Sequence, residues 1–543
     1  MAKIVTVEQM RRIERAADAA GWTYDDMMRR AGRSVAEAVL ARLPQPADRR
    51  VLILVGAGNN GGDGLVAGGI LRQAGMKVTA YLFVSRPQPD PHAEALHRLG
   101  GDLVAAADDP QATSLERLAG EADVILDAVL GTGIRLPLRE EFARRLRVVD
   151  EAARRGRRRP LRVAVDCPTG LDCDSGAVDP AVMPADLTVT LAAAKPGLFR
   201  FPGAALTGEV VVGDIGLDPA MKELSDVQME LTDPKTLRGW LPARPPDAHK
   251  GTFGTVLIAG GSVNYPGSVA LAGEAAYRVG AGLVTLAVPG AIHGLLVPAL
   301  PEATWLILPQ ETGVIAEDAA ELLRERAGNA DVIVVGPGMG REETSRRFLE
   351  RLLDPSEGAA RGRIGFVHRP GEAAVAARGL PPLVVDADAL RLLREIEGWH
   401  TRLPSGSIVT PHPGEMSALT GLETATIQAN REGIAREKAS EWGVVVVLKG
   451  AHTVIAAPDG RAYVLPFATA ALAKAGTGDV LAGAIGGLRA QGLGAVEAAV
   501  LGAYAHGRAG FLAAEEAGST VGVLAGEVAL RLPEALAELQ AEA

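Results

Sequence analysis

Cysteine is nearly absent from this chain: 543 residues contain two, Cys167 and Cys173. Two thiols cannot build a disulfide framework or close a tetrahedral zinc site, and their scarcity suits a reducing cytoplasm. Aromatic residues make up 4% of the chain, and there is no excess of positive charge, since 56 Lys and Arg stand against 66 Asp and Glu. A formal net charge of −10 supplies no field that would draw in nucleic acid or an anionic membrane, so neither is an expected partner. Long hydrophobic runs are missing too. Glu8, Arg11, Arg12 and Glu14 interrupt the N-terminal apolar stretches, which excludes a signal-peptide core. Val279 to Pro301 carries no formal charge, but Gly280, Gly282, Pro289, Gly290, Gly294, Pro298 and Pro301 break it into strand, turn and short helix of a buried core.

What the chain has in quantity is glycine, 65 residues without a triplet period, in a composition that is 48% hydrophobic and 22% charged. That mix describes a packed soluble enzyme with many tight loops. At roughly 150 residues per domain the length allows two to four domains. The single basic run, Arg154, Arg155, Arg157, Arg158 and Arg159, reads as a solvated helix end before the strand at Arg162 to Val165.

Val7 to Leu43 has helical spacing with a break at Gly21, so two helices are expected there. The short β-branched runs Val51 to Val55, Val78 to Val84, Val124 to Leu126, Val163 to Val165 and Val210 to Val212 alternate with helical stretches, the pattern of a doubly wound parallel sheet. Pro219, Pro234, Pro242, Pro245 and Pro246 then mark a boundary near residues 225 to 245, giving domains 1–225 and 226–543. A second α/β series runs through Thr255 to Ala259, Leu283 to Val288, Val332 to Val335, Leu383 to Val385, Ile408 to Thr410 and Val444 to Leu448. Asp354 to Arg378 fits neither period and reads as a surface insertion.

Three loops of the first half carry chemistry. Gly56, Gly58 and Gly61 match the dinucleotide fingerprint of a nicotinamide dehydrogenase, but Ser85 and Arg86 stand where the ribose-holding acid belongs. Asn59-Asn60-Gly61-Gly62-Asp63-Gly64 is more particular: two amides and a carboxylate in a loop at a helix N-terminus, able to face an anion or a hard cation. Asp127 opens the loop through Gly131-Thr132-Gly133, and Asp166 opens Asp166-Cys167-Pro168-Thr169-Gly170. All three belong at the C-terminal edge of one sheet, where such folds bind ligands, although an Asp at a strand end also serves as a plain helix cap.

Together these loops resemble the N-terminal epimerase domain of the NAD(P)H-hydrate repair proteins, the YjeF family, over roughly residues 1 to 220. The resemblance implies a Rossmann-like domain that interconverts the R and S forms of NADH and NADPH hydrated on the nicotinamide ring. It implies potassium held by Asn60, Asp127 and Thr169, the last a Ser more often in the family. By the same resemblance, substrate lies along Asn59, Asn60, Gly61, Gly62 and Asp63 and along Gly131, Thr132, Gly133, Ile134, Arg135, Leu136 and Pro137. Asp166 is the acid/base candidate, a carboxylate suited to moving a proton as the ring hydroxyl departs and returns.

In the second half, Ala475-Gly476-Thr477-Gly478-Asp479 precedes an apolar helix, so amides at the helix start can receive charge on a transferring phosphoryl group while Asp479 takes a proton from a hydroxyl. Lys449-Gly450-Ala451-His452-Thr453 sets a cation, amides and a hydroxyl at a strand mouth, a composition suited to a diphosphate, and no P-loop segment occurs. His412 and Glu415, within Thr410-Pro411-His412-Pro413-Gly414-Glu415, either contact substrate or merely begin a helix.

With HKGTFG, GGSVNYPG, GPGMG and DADAL in order before them, these segments look like the ribokinase-like dehydratase domain of the same family, from about His249 to Leu532. The resemblance implies dehydration of the S hydrate at the expense of ADP with Mg2+, releasing AMP and phosphate. It assigns the reacting hydroxyl to Asp479, the nucleotide to Lys449, Gly450, Ala451, His452, Thr453 and Gly478, and the hydrate to Ala270, Gly338 and His412. It also implies self-association into a homo-oligomer. A small-molecule kinase would use the same Gly-Thr-Gly-Asp loop but leaves the first domain unexplained. A first domain that only binds would have no need of both Asp127 and Asp166.

Overall fold

The computed structural model describes residues 1–541 except 88, 157 and 355–378, so most of the Asp354 to Arg378 stretch lies outside the described residues. The chain divides into two compact units, Ala2–Met229 and Glu230–Ala543 with Met1.

In the first unit, Thr6 and Thr23 each close a capping box, with Gln9 and Asp26 respectively, and so start the helices Val7–Ala19 and Tyr24–Leu40 on either side of Gly21. Seven parallel strands follow, in the spatial order Asp102–Ala105, Lys77–Leu82, Arg50–Val55, Val124–Ala128, Leu161–Val165, Leu187–Leu191 and Glu209–Gly213. The order runs outward in one direction from Arg50–Val55 and then restarts on its other side at Val124–Ala128, so a topological switch point lies between those two strands. Crevices at the carboxyl ends of strands around such a point are where open α/β sheets bind ligands. The basic run behaves as a solvated helix end: Arg154, Arg155 and Arg159 pair with Asp150, Glu151 and Asp186.

One expectation fails here. Asn59 to Gly64 is not a loop before a helix; the helix itself is Asn59–Gln73, entered from Gly58. The reason is steric. A Cβ on Gly62 would lie 2.5 Å from Met28 Sδ and one on Gly64 2.6 Å from the Ala128 Cβ, so glycines let this first turn sink against its neighbours. The glycines serve close packing as well as open amides.

The second unit has the strand order Ala462–Val464, Val454–Ala456, Val445–Leu448, Ile408–Val409, Leu383–Val385, Val332–Val335, Thr255–Ala259, Leu283–Pro289 and Thr304–Leu308. All neighbours pair in parallel except the last hairpin, where Val454–Ala456 pairs antiparallel with strands on both sides. Its switch point falls between Thr255–Ala259 and Val332–Val335. The uncharged stretch resolves into the strand Leu283–Pro289 and the helix Gly290–Leu296, and no helix among the described residues is long and apolar enough to cross a membrane. The helix Thr477–Ala490 packs on Gly267–Arg278 through glycines: a Cβ on Gly487 would stand 2.5 Å from a Val279 methyl. That close approach seats the buried helix against its neighbour.

Candidate active sites

In the first unit the three loops converge. A Cβ on Gly131 would lie 3.3 Å from the Asn60 amide and 3.4 Å from Asp166 Oδ2, so the three segments meet at one point of the sheet edge. Asn60 is buried and neither its Oδ1 nor its Nδ2 has a hydrogen-bond partner among the described residues. Burying an unpaired amide costs free energy, and such a group calls for an occupant. Beside it, Thr169 N donates to Asp127 Oδ2 at 2.8 Å, and the Thr169 hydroxyl donates to Asp127 Oδ1 at 2.6 Å while accepting from Leu130 N at 3.0 Å. Burial pushes the Asp127 carboxyl above its ordinary pKa against these hydrogen bonds.

Asn59 is exposed, whereas Asn60, Gly61, Gly62 and Asp63 are buried. Burial first, and then the negative charges of Asp166 and Glu14, push the Asp63 carboxyl well above the usual range. From Gly131 the chain turns outward, with Thr132, Ile134 and Leu136 half-buried and Gly133, Arg135 and Pro137 exposed, as a rim would be. Arg86, where a ribose-binding acid was absent from the sequence, holds the carbonyls of Gly56 and Gly58 and pairs with Asp90 at 2.5 Å. It fixes the loop ahead of the helix.

Asp166 has φ +65, a left-handed conformation that a non-glycine residue adopts at a cost. Its Oδ1 accepts from Leu191 N at 3.1 Å and from the Thr190 hydroxyl at 3.3 Å, and it receives the ammonium of Lys195. Lys195 is 1% exposed. Sequence reasoning passed over it because a lone lysine in Ala192-Ala193-Ala194-Lys195-Pro196 has no motif spacing; the one signal was a charge amid small apolar residues.

In the second unit the polar groups come from the carboxyl ends of successive strands. Asp386 follows Leu383–Val385, Thr410 follows Ile408–Val409 and Lys449 follows Val445–Leu448. The Thr410 hydroxyl and Lys449 Nζ both donate to Asp386 Oδ1, at 2.7 and 2.6 Å, and Lys449 lies 3.5 Å from Glu415. Asp386 is 1% exposed, and its Oδ2 has no hydrogen-bond partner among the described residues. It faces Gly478, whose Cβ would lie 3.7 Å from it. Asp386 belongs to the Asp-Ala-Asp-Ala-Leu segment but was not singled out as a site residue.

Asp479 sits in the first turn of Thr477–Ala490. Burial, then the Asp386 charge, pushes its carboxyl up to about 7 against a hydrogen bond from Ser268 and the charge of Lys449. Gly338, at φ +60, is pressed against Ser268: a Cβ there would come 2.9 Å from the serine Cβ. Ala270 stands two residues further along the same helix. His412 caps Pro413–Thr420: its Nδ1 accepts from Gly414 N at 2.9 Å and Glu415 N at 3.2 Å, and its Nε2 lies 3.4 Å from Glu415 Oε1.

Beside this cluster a cleft with about 730 Å³ of empty volume is lined by Lys449, Gly450, Ala451, Thr453, Gly478 and apolar residues that include Leu465 and Phe467. Of the five residues of the nucleotide segment, His452 alone does not line it; its ring is buried and meets the Leu465 carbonyl at 3.1 Å. Two further residues shape the cleft without having been expected. Arg431 donates to the carbonyls of Leu448 and Lys449 at 2.8 and 3.2 Å, and His506 lines the wall, its pKa lowered to about 4 by burial.

Family models match both halves: residues 24–197 match YjeF-related protein N-terminus, and residues 256–360 and 372–533 match NAD(P)H-hydrate dehydratase. The bifunctional NAD(P)H-hydrate repair enzyme Nnr of Moorella thermoacetica is 36% identical over 99% of this chain and 97% of its own length. Its Escherichia coli counterpart is 34% identical over 95% and 91%. Among solved structures, the ADP/ATP-dependent NAD(P)H-hydrate dehydratase of Bacillus subtilis, co-crystallised with ATP and Mg2+, is 29% identical and covers 57% of this chain and 98% of its own, with a TM-score of 0.44. Two domains matched in order and relatives alike over nearly their whole length identify the lineage: the chain belongs to the family of bifunctional NAD(P)H-hydrate repair enzymes.

Proposed function

We propose that this chain repairs hydrated nicotinamide cofactors, its first unit interconverting the R and S hydrates of NADH and NADPH and its second dehydrating the S form with ADP. The observation that carries the reading is the presence of two sheet-edge sites, each with a buried carboxylate, Asp166 in one and Asp479 in the other, in a chain whose relatives are named bifunctional NAD(P)H-hydrate repair enzymes.

Hydroxide is a poor leaving group from the reduced ring. In the second unit, Asp479 takes the proton of the ring hydroxyl as its oxygen attacks the terminal phosphoryl group of ADP. AMP leaves, and amides at the start of Thr477–Ala490 receive the developing charge. Phosphate then departs from the ring carbon with loss of a proton from its neighbour, which restores the double bond. Lys449, Gly450, Ala451, Thr453 and Gly478 hold the nucleotide along the cleft. Gly338, Ala270 and His412 contact the hydrate, and His452 supports the nucleotide loop from behind. Mg2+ would enter with the nucleotide, bound through its phosphates.

In the first unit, Asp166 moves the proton as the hydroxyl leaves one face of the ring and returns to the other. The unpartnered Asn60 amide, Asp127 and Thr169 fit a potassium ion, whose oxygen preference their donor atoms match. When bound, the ion supplies positive charge beside Asp127 and ties the second and third loops. Thermal unfolding should report this: Tm of the first unit is expected to rise in potassium chloride relative to choline chloride, and Asn60→Ala should abolish the difference. Equal Tm values in the two salts for the unaltered chain would count against the site.

The test of the whole reading is recovery of the NADH absorbance band from a mixed R and S hydrate preparation, with potassium and magnesium present. Recovery beyond the S fraction, dependent on ADP, is expected. Recovery that stops at the S fraction would remove the epimerase, and no recovery with ADP or ATP would favour a small-molecule kinase.

A further inference from the structure

The ammonium of Lys195 has three protons, and all three are engaged: with Asp166 Oδ1, with the Thr190 hydroxyl at 3.1 Å and with the Leu191 carbonyl at 3.0 Å. Asp166 Oδ1 in turn gathers Lys195, Leu191 N and the Thr190 hydroxyl, while none of these bonds reaches Oδ2. Oδ2 is the oxygen turned toward Gly131 and the Asn60 amide, where the three loops meet. Thr190, Leu191 and Lys195 all lie on or just past the strand Leu187–Leu191, next in the sheet to Leu161–Val165, which Asp166 follows. They form a fixed bracket on one side of a carboxylate whose backbone is held at φ +65.

We propose that Lys195 is a positioning residue of the epimerase site, holding Asp166 as a carboxylate with Oδ2 alone presented to the substrate. The proposal rests on the proton-moving role given to Asp166 above. Burial pulls the Lys195 ammonium down, yet the charge and hydrogen bond of Asp166 outweigh it and leave it above its ordinary value, so Lys195 keeps its charge. Other titratable groups also face the pair. Glu14 on Val7–Ala19 and Asp63 on Asn59–Gln73 are carboxyls pushed up by burial, and Cys167 and Cys173 are buried thiols. Among them Lys195 is the cation that balances Asp166, and removing it would leave a buried charge uncompensated beside two other acids.

The experiment measures epimerisation in Lys195→Met, Lys195→Gln and Lys195→Ala beside Asp166→Asn, all in the full-length chain, with the Tm of the first unit as the control for folding and dehydration of pure S hydrate as the control for the second unit. Lys195→Met is expected to lower kcat about 100-fold with KM little changed. Lys195→Gln, which keeps a hydrogen-bond donor but no charge, should move the rising limb of the pH profile to higher pH, which a merely structural role would not do. Ethylammonium should restore Lys195→Ala in part. Should Lys195→Met fail to fold, the glutamine variant and the amine rescue decide alone. Epimerisation within threefold of the unaltered chain in the Lys195 variants, with Asp166→Asn inactive, overturns the role of Lys195. Full activity in Asp166→Asn instead overturns the underlying role of Asp166.

Discussion

Replacing Asp479 with Asn is expected to slow ADP-dependent dehydration of the S hydrate by about 1,000-fold, a loss at the level of a general base removed from a phosphoryl-transfer site. Because burial and Asp386 push this carboxyl up to about 7, the unaltered enzyme should gain rate with a midpoint near pH 7, and the Asn variant should lose that limb. The same shift sets a stability cost with a definite sign. The folded state holds the Asp479 proton up to about pH 7, whereas an unfolded chain releases it near 3.8, so over that window the folded state binds more protons and stability falls as pH rises. Above the window the cost is constant, at most about 4 kcal/mol at 1.36 kcal/mol per pH unit. The Asn variant escapes it. Its Tm should exceed that of the unaltered chain by a few degrees at pH 8 and show no advantage at pH 4. Dehydration within tenfold of the unaltered enzyme, or a Tm gain equal at both pH values, would contradict this account.

A site that trades stability for reactivity is hard to read from sequence, and the places where the residues misled follow that rule. Most parallel strands inside each sheet were legible because both faces are buried and the runs are β-branched, as in Val332–Val335, although Leu187–Leu191, where Leu and Thr alternate with a single Val, was passed over. Edge strands were read unevenly: Glu209–Gly213 showed itself through Val210 to Val212, but others did not. Asp102–Ala105 and Thr304–Leu308 have mixed exposure and no clean period, and the hairpin Val454–Ala456 and Ala462–Val464 is too short to announce itself. Motif residues marked the sites, but their supports did not. Lys195 and Asp386 act through contacts with residues 29 and 63 positions away in the chain, distances over which no local pattern carries information. The Asn59 to Gly64 segment was read for its amides, while its place inside a helix depends on Met28 and Ala128, which nothing in the segment reveals.

Asp386 and Lys449 permit a test that separates support from chemistry. Lys449→Met leaves Asp386 buried with Oδ2 already unpartnered and no ammonium on Oδ1, facing the raised carboxyl of Asp479 and, nearby, Glu415. Breaking a buried pair by removing one member costs about 3–5 kcal/mol, because the other charge remains uncompensated. A chain so altered should unfold at distinctly lower temperature and lose dehydration. Burial pulls the Lys449 ammonium down, but Asp386 and Glu415 outweigh it and keep it charged, so the loss is of a full positive charge beside the cleft. Adding Asp386→Asn to Lys449→Met removes the stranded carboxylate and should restore most of the Tm, since the asparagine amide can still accept from Thr410. Dehydration should stay absent, because the cation at the mouth of the nucleotide cleft is still missing. Recovery of both stability and dehydration in the double variant would mean that Lys449 serves only to neutralise Asp386; recovery of stability alone assigns it to the nucleotide as well.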